Sequence, residues 1–97
     1  MRANSGWRVY LVRCRDATLY CGCTTDIKRR VGEHNSGNGA KYTKSRRPVE
    51  LVWSTPAKSR SDAFKKESAI KKLSRKQKIL LVESYQAAEK LFSSGLI

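Results

Sequence analysis

The sequence predicts a small α+β domain with a central three-stranded, mainly antiparallel sheet flanked by helices, in the order β-β-α-β-α-α. Short apolar runs on both sides of a polar turn at 15–17, and an alternating run at 49–54, predict the strands. Apolar residues that recur every three or four positions predict the helices. A chain of 97 residues has room for one domain. We expect its core to span about 7–82, with a helical C-terminal extension over 83–97.

The first two strands are expected to form a hairpin. Residues 7–14, WRVYLVRC, alternate between two faces, and Tyr10 lies on one of them. After the polar turn, residues 18–21 return as the second strand. Gly22 is expected to end that strand, because an isolated glycine often interrupts a strand pattern.

The first helix is predicted to begin after two threonines. Thr24 and Thr25 are suitable N-cap residues, and Asp26 fits the first turn, where the helix dipole is positive. The helix is expected to run to about Asn35. The sequence SGNG at 36–39 then ends it.

The second half of the chain predicts one more strand and two helices. Residues 40–48 are rich in cations and are expected to form an exposed basic loop before the strand at 49–54. A helical pattern begins at Ser59. Ser74 and Gln77 match a capping box, so a separate last helix is expected to start there.

The charge of the chain predicts a polyanionic partner. Lysine and arginine number 21 against 8 acidic residues, a net charge of +13. Nucleic acid is the default partner of so basic a domain. No apolar stretch approaches the roughly 18 residues of a membrane span, and the N-terminus lacks the apolar region of a secretory signal. We therefore expect an intracellular protein without a membrane partner, cytoplasmic, or nuclear in a eukaryote.

Three cysteines do not predict a disulfide scaffold, because their number is odd. Cys14, Cys21 and Cys23 are expected to be free thiols in a reducing compartment. The alternative is a zinc site that combines them with His34, the only histidine. The Cys-x-Cys spacing and the distant histidine do not match a standard zinc ligand pattern.

Three polar residues are predicted to lie beside the core. On a helix that starts near Ile27, His34 falls next to the apolar positions and Arg30 at their border, whereas Arg29 faces solvent. Glu67 falls within the apolar face of the next long helix. A buried carboxylate is costly unless it is paired with a cation or binds a metal, so an internal ion pair and a hard divalent cation are both open for Glu67.

These residues occur in an ordered set of motifs. The set comprises Arg8-Val9-Tyr10, then Tyr20-Cys21-Gly22, then DIKRRVGEH at 26–34, then HNSGNGAKYT at 34–43 and Glu67 on a later helix. Together they resemble the GIY-YIG nuclease superfamily over about residues 7–82, and within it the small stand-alone YhbQ-type proteins. The first motif departs from the family pattern because Arg8 replaces its glycine.

The resemblance implies metal-dependent phosphodiester hydrolysis, with Mg²⁺ or Mn²⁺ as the cofactor. Tyr10 and Tyr20 match the motif tyrosines, of which one activates or orients the attacking water. Arg30 matches the arginine that neutralises the scissile phosphate, and His34 matches the histidine that supports the site. Glu67 matches the carboxylate that holds the metal. These roles fit phosphodiester chemistry, which builds negative charge that an arginine and a metal ion stabilise.

The sequence therefore predicts a structure-preferring or weakly sequence-specific DNA endonuclease of repair or recombination. A non-cleaving nucleic-acid-binding module on the same fold, and a basic protein that assembles with RNA, are the alternatives. Tyr42 is expected to stack on an unpaired base or to be an ordinary loop aromatic. A protein partner or a homodimer through the C-terminal helix is compatible with its apolar pairs Leu91-Phe92 and Leu96-Ile97. The residues expected to contact nucleic acid are Lys41, Tyr42, Lys44, Arg46, Arg47, Lys65, Lys66, Lys71, Lys72 and Arg75, together with Lys76 and Lys78.

Overall fold

The computed structural model describes the backbone of residues 5–94 and the side chains of residues 5–90. The predicted α+β class and element order are confirmed, with one short helix added between the first long helix and the third strand. The side chains of Leu91-Phe92 and the pair Leu96-Ile97 lie outside the described residues. The elements are β1 (Arg8–Arg13), β2 (Leu19–Thr24), α1 (Ile27–Ser36), α2 (Lys41–Lys44), β3 (Glu50–Pro56), α3 (Arg60–Lys71) and α4 (Arg75–Ser94).

The sheet has the order β2-β1-β3, with β1 in the centre and antiparallel to both neighbours. Alternate residues of β1 point to opposite faces, and both faces are buried. Val9 and Leu11 pack under α3 and α4 with Ala63, Ile70 and other small apolar side chains. The opposite face, which includes Tyr10, packs under α1. Because α1 and α3 cover opposite faces, residues from both can meet only at an edge strand such as β2.

Gly22 does not end the second strand, contrary to expectation. β2 continues from Leu19 to Thr24, and Gly22 pairs with Tyr10 in the ladder. A Cβ atom at Gly22 would lie 2.5 Å from the Tyr10 phenol oxygen and 2.8 Å from its ring carbon Cζ. The glycine therefore serves close packing rather than chain reversal, since only a residue without a side chain lets the phenol cross the strand.

The cap of α1 also differs from expectation. Asp26 is the N-cap residue, and its side chain accepts a hydrogen bond of 3.0 Å from the backbone N–H of Arg29. Thr24 is the last residue of β2, and its hydroxyl accepts from the backbone N–H of Asp26. At the other end the predicted stop is confirmed, because Gly37 adopts a left-handed conformation after Ser36. The contacts of Thr24 and Asp26 therefore join the end of β2 directly to the start of α1.

The predicted basic loop contains an ordered helical turn. Lys41–Lys44 forms α2, and Thr43 within it is fully buried.

The third strand also breaks its predicted alternation. The ladder with β1 shifts by one residue between Leu11 and Val12, so that Val52 is buried and Leu51 is exposed. A bulge of this kind changes which side chains face the core, and sequence alternation alone does not reveal it.

The capping box before α4 is confirmed. The backbone N–H of Gln77 donates to the Ser74 hydroxyl at 3.1 Å, and the Gln77 side chain accepts from the backbone N–H of Ser74 at 2.9 Å. This reciprocal pair satisfies two donors of the helix start.

Within residues 5–94, no helix has the length and apolar character needed to cross a membrane.

We predict that Ser74→Ala lowers the free energy of unfolding by about 1 kcal/mol, because the Gln77 amide loses its capping acceptor. Urea denaturation followed by circular dichroism measures the change. Ser84→Ala, at an exposed position inside α4, is the matched control and should leave the midpoint nearly unchanged. Equal midpoint shifts in the two variants would contradict the capping role.

Candidate active site

The candidate site surrounds the edge strand β2. Tyr20 comes from β2 itself, Tyr10 crosses it from β1, and Arg30 and His34 come from α1 on one face of the sheet. Glu67 comes from α3 on the opposite face. The structure therefore brings four of the five predicted site residues together on one face, with the carboxylate on the far side of a single strand.

A buried chain of hydrogen bonds forms the centre of the site. The phenol oxygen of Tyr10 and Nε2 of His34 share a hydrogen bond of 2.8 Å. The Nδ1 atom of the same ring shares another, also 2.8 Å, with the hydroxyl of Thr43. The Thr43 hydroxyl lies in addition 2.9 Å from the carbonyl oxygen of Ala40. Tyr10, His34 and Thr43 are each exposed by 1% or less, so this chain is isolated from solvent.

A second glycine allows the histidine to take this position. A Cβ atom at Gly39 would lie 2.8 Å from the His34 Cα atom and would overlap Nδ1 of its ring. The loop after α1 therefore passes directly over the imidazole. The run HNSGNGAKYT at 34–43 therefore contains His34 together with Gly39 and Thr43, the two residues that contact its imidazole.

Burial determines the protonation states of this chain. It raises the pKa of the Tyr10 phenol to about 12, with Arg30 opposing the rise and the charges of Tyr20 and Glu67 adding to it. Burial also lowers the pKa of His34, and the positive charge of Arg30 lowers it further, while Glu33 acts in the opposite direction. Near neutral pH, Tyr10 is therefore a protonated phenol and His34 a neutral imidazole.

Arg30 lies between the buried chain and solvent. Its guanidinium donates to Glu33 at 3.0 Å, and about 30% of the side chain is exposed. The hydrogen bond to Glu33, followed by the interaction with Tyr10, raises the pKa of Arg30. The neighbouring Arg29 is exposed, as predicted. A cation that is fixed and partly desolvated binds an anionic ligand more strongly than a fully hydrated cation does.

Tyr20 belongs to a stack of side chains rather than to the buried chain. Its ring meets His34 edge-on with centroids 5.3 Å apart and stacks on Tyr42 at 5.8 Å. The guanidinium of Arg46 lies 3.9 Å from the centroid of the Tyr42 ring. Arg46 is itself held by Asp16 at 3.1 Å and by the carbonyl of Tyr42 at 2.8 Å. Tyr42 and Arg46 therefore hold Tyr20 in place, a role that sequence reasoning did not anticipate.

Glu67 forms an ion pair with a lysine, which is one of the two possibilities that the sequence left open for it. Lys71, one helical turn later, donates to Oε2 at 2.8 Å, and the Cys23 thiol donates to Oε1 at 3.3 Å. Burial, followed by the interaction with Glu67, raises the pKa of Cys23 to about 11, so this thiol stays protonated. About 20% of the Glu67 side chain is exposed, whereas 52% of the Lys71 side chain is. The lysine can therefore swing away more easily than the carboxylate.

The donor set favours a hard cation over zinc. Cys21 and Cys23 pack on the α3 face of the sheet, whereas Cys14 packs on the opposite face, where His34 lies. The proposed cysteine–histidine zinc site is therefore not formed. No group of three histidine, cysteine or acidic side chains assembles in the described part of the chain. A single carboxylate still suits Mg²⁺ or Mn²⁺, because Mg²⁺ keeps several waters and takes further oxygens from substrate phosphates.

The predicted nucleic-acid contacts fall into two groups. Among the predicted contacts, the lysines that are exposed and form no side-chain ion pair or hydrogen bond are Lys41, Lys44, Lys65, Lys72 and Lys76. Several of the others are held by the protein itself. Lys66 pairs with Asp62 at 3.4 Å, Arg47 donates to the carbonyl of Lys44, and Arg75 donates to that of Ala17.

We predict that Thr43→Val lowers the free energy of unfolding by about 1–3 kcal/mol, because it leaves Nδ1 of His34 buried without its closest partner. Urea denaturation measures the loss. Thr25→Val is the matched control, since Thr25 is exposed. If both variants unfold at the wild-type midpoint, the buried chain does not contribute to stability as described.

We also predict a loss of stability as the pH falls from about 7.5 through 6.5. The folded-state pKa of His34 lies below its ordinary value of 6.5. The unfolded chain therefore takes up a proton first, and stability falls as pH drops through 6.5 until the lower folded pKa is reached. His34 is the only histidine, so unfolding midpoints at pH 7.5, 6.5 and 5.5 isolate its effect. A His34→Gln variant should show a flatter profile, and an equally steep one would contradict the assignment.

Comparison with known proteins identifies the family of the chain. The family model described as "GIY-YIG catalytic domain" matches residues 6–79 of the chain. A UPF0213 protein of Desulfotalea psychrophila is 54% identical over 89 residues, which cover 91% of this chain and 78% of that protein. The name of that relative states no activity.

Two solved structures are similar to the fold. The solution NMR structure of a protein from E. faecalis has a TM-score of 0.57 and 42% identity, and covers 87% of this chain and 91% of that one. The solution NMR structure of a UPF0213 protein from Bacillus halodurans has a TM-score of 0.51 and 43% identity, and covers 79% and 82%. The match to the catalytic domain spans most of the chain, and the protein therefore belongs to the GIY-YIG family.

Proposed function

We propose that this protein is a divalent-metal-dependent endonuclease that hydrolyses DNA phosphodiester bonds, with a preference for DNA structure or only weak sequence specificity. We assign it to DNA repair or recombination inside the cell. The family is one of endonucleases. The observation that carries the proposal is the convergence of a partly exposed Arg30, two phenols and Glu67 around the single strand β2.

In this proposal Arg30 stabilises the scissile phosphate. Its guanidinium is held by Glu33 and faces solvent in part, so it is oriented before a substrate arrives. Charge that develops on the phosphate oxygens is stabilised most by donors that need no reorganisation. Tyr10 and His34 act through Arg30, because their buried chain holds the phenol beside the guanidinium. They are positioning residues.

Tyr20 is the phenol that we assign to the attacking water. It is half-buried, whereas Tyr10 is fully buried and its oxygen is shared with His34. A hydroxyl with open access can accept a hydrogen bond from a water and orient it for attack. Tyr42 and Arg46 keep the Tyr20 ring in one orientation.

Glu67 is the residue that would hold the cation. When bound there, Mg²⁺ or Mn²⁺ would neutralise phosphate charge and lower the pKa of coordinated water. Lys71 must first leave the Glu67 carboxylate, and its high exposure makes that movement easy. The protonated Cys23 thiol supports the carboxylate and does not compete as a soft ligand, because thiols bind metals as thiolates.

A non-cleaving nucleic-acid-binding module is the second candidate function. It is favoured by one observation, namely that both oxygens of Glu67 are already engaged by Lys71 and Cys23. Such a module would use the same basic surface. We further propose that residues 7–82 form the family core and that the C-terminal segment from residue 83 onwards serves as a surface for a protein partner or a second copy.

The decisive experiment compares cleavage and binding in the same set of variants. We predict that Glu67→Ala and Arg30→Ala cut duplex, nicked and branched DNA at least about 100-fold more slowly than wild type with Mg²⁺ or Mn²⁺. Both should still bind DNA, because the basic surface remains. Arg29→Ala is the matched control: it removes an exposed arginine next to Arg30 and should cut at nearly the wild-type rate.

Each other result has a defined meaning. If wild type cuts no substrate with either cation, the binding-module function is correct. If Glu67→Ala cuts as fast as wild type, the metal assignment is wrong. Binding should weaken steeply as salt rises, and binding insensitive to salt would contradict phosphate contacts.

A further inference from the structure

We propose that the outer face of α3 binds unpaired nucleotides, with a base stacked on Phe64 and the phosphates held by Lys65 and Lys72. Here "α3 groove" means the surface lined by Arg60, Ser61, Phe64, Lys65, Ser68, Ala69 and Lys72. The link from this groove to the scissile bond rests on the proposed nuclease function. Binding to the groove does not, and it can be tested separately.

Phe64 is the feature that needs an explanation. It is 47% exposed, on a helix whose outer face is otherwise polar and basic. Trp7 meets its ring only edge-on, with centroids 6.2 Å apart and an interplanar angle of 75°. The Arg60 guanidinium lies at 5.0 Å from the ring centroid, and Arg60 forms no ion pair with any described side chain. A base can therefore reach the ring without breaking an anchored contact.

Tyr42 offers a less accessible ring than Phe64, although the sequence suggested it for base stacking. Its ring already stacks on Tyr20 and lies under Arg46. Arg46 is held in place by Asp16 and by a backbone carbonyl. A base that stacked on Tyr42 would have to displace one of these partners, and with it the support of Tyr20. Phe64 has no such role in the site.

The charges in the α3 groove fit a nucleic-acid backbone. The groove is open, with a volume of about 1050 Å³, and no acidic residue lines it. Lys65 and Lys72 are two helical turns apart on the same face, separated by about 10 Å along the axis. Neither is engaged by an acidic partner among the described side chains. Two free ammonium groups that share this surface with an exposed aromatic ring form a site for a nucleic-acid segment whose base stacks on the ring while neighbouring phosphates meet the lysines.

The position of the groove connects it to the candidate active site. Phe64 precedes Glu67 by three residues, so the two side chains are neighbours on the surface of α3. Lys71, which pairs with Glu67, also lies beside Lys72. A strand that leaves the site at Glu67 would therefore meet the Phe64 ring next. Bases expose their faces only where they are unpaired, so the groove would select substrates with a single-stranded flank.

The test measures binding in the absence of divalent cations, so that no cleavage takes place. Fluorescence anisotropy compares a short single strand with a duplex of the same sequence. We predict that Phe64→Ala weakens single-strand binding about tenfold, within the range of base stacking on an aromatic ring, and changes duplex binding less than about twofold. Phe64→Trp should restore the single-strand affinity, because tryptophan also stacks. Lys72→Ala should reduce the salt dependence of single-strand binding by about 0.7 in the log–log slope.

Leu80→Ala is the matched control, because Leu80 is an exposed apolar side chain on α4 with 56% exposure. It should bind both nucleic acids as wild type does. The proposal is overturned if Phe64→Ala binds the single strand as wild type does, if it loses duplex binding equally, or if Leu80→Ala loses as much. The urea unfolding midpoint of each variant is compared with that of wild type, so that a loss of binding caused by unfolding is recognised. Failure of the cleavage assay would not affect this result.

Discussion

The buried hydrogen-bond chain from Tyr10 through His34 to Thr43 is the interaction on which the rest of the structure depends. It joins the central strand β1 to the helix α1, across 24 residues of sequence, and joins α1 to the short helix α2 that follows it. Buried polar groups are costly unless each has a partner. No buried side-chain nitrogen or oxygen in the described residues lacks one. The same requirement that satisfies the core therefore fixes the position of the candidate site.

The chain also explains why the site sits around β2. Tyr10 can reach His34 only by crossing β2 at Gly22, and the imidazole fits only because Gly39 covers it. The crossing brings the phenol to the edge of the sheet, where its titration is affected by Tyr20 on the same face and by Glu67 from the other. One edge strand thus separates the groups that we propose to contact the phosphate from the group that would bind a cation. A phosphate that reached over this edge could contact both.

Much of the fold was predictable because it depends on local patterns. The apolar periods, the Ser74–Gln77 capping box and the glycine after α1 correctly predicted the strands and long helices. α2 was missed, since its four residues carry no apolar period and Thr43 is buried only because His34 needs its hydroxyl. The bulge at Val52 was missed because it is a property of strand pairing.

The candidate site was predictable to a similar extent. Helical geometry places His34 and Arg30 beside the core, and the spacing of Glu67 and Lys71 by four residues would have revealed their ion pair. The contact of Cys23 with Glu67 joins residues 44 positions apart, and no local pattern predicts it. The stack of Arg46, Tyr42 and Tyr20 likewise depends on where α2 docks. The sequence therefore named the candidate site residues, whereas the contacts that orient them emerged only from tertiary structure.

The Lys71–Glu67 pair has a consequence for the coupling between folding and cofactor loading. In many small metalloproteins the ligands repel one another until the ion arrives, and the apoprotein does not fold. Here the carboxylate carries its own counterion at 2.8 Å. The fold therefore needs no ion to neutralise Glu67, and under the proposed function loading would be an exchange of one positive charge for another. A metal-dependent enzyme built this way would persist through periods of metal scarcity and become competent again without refolding.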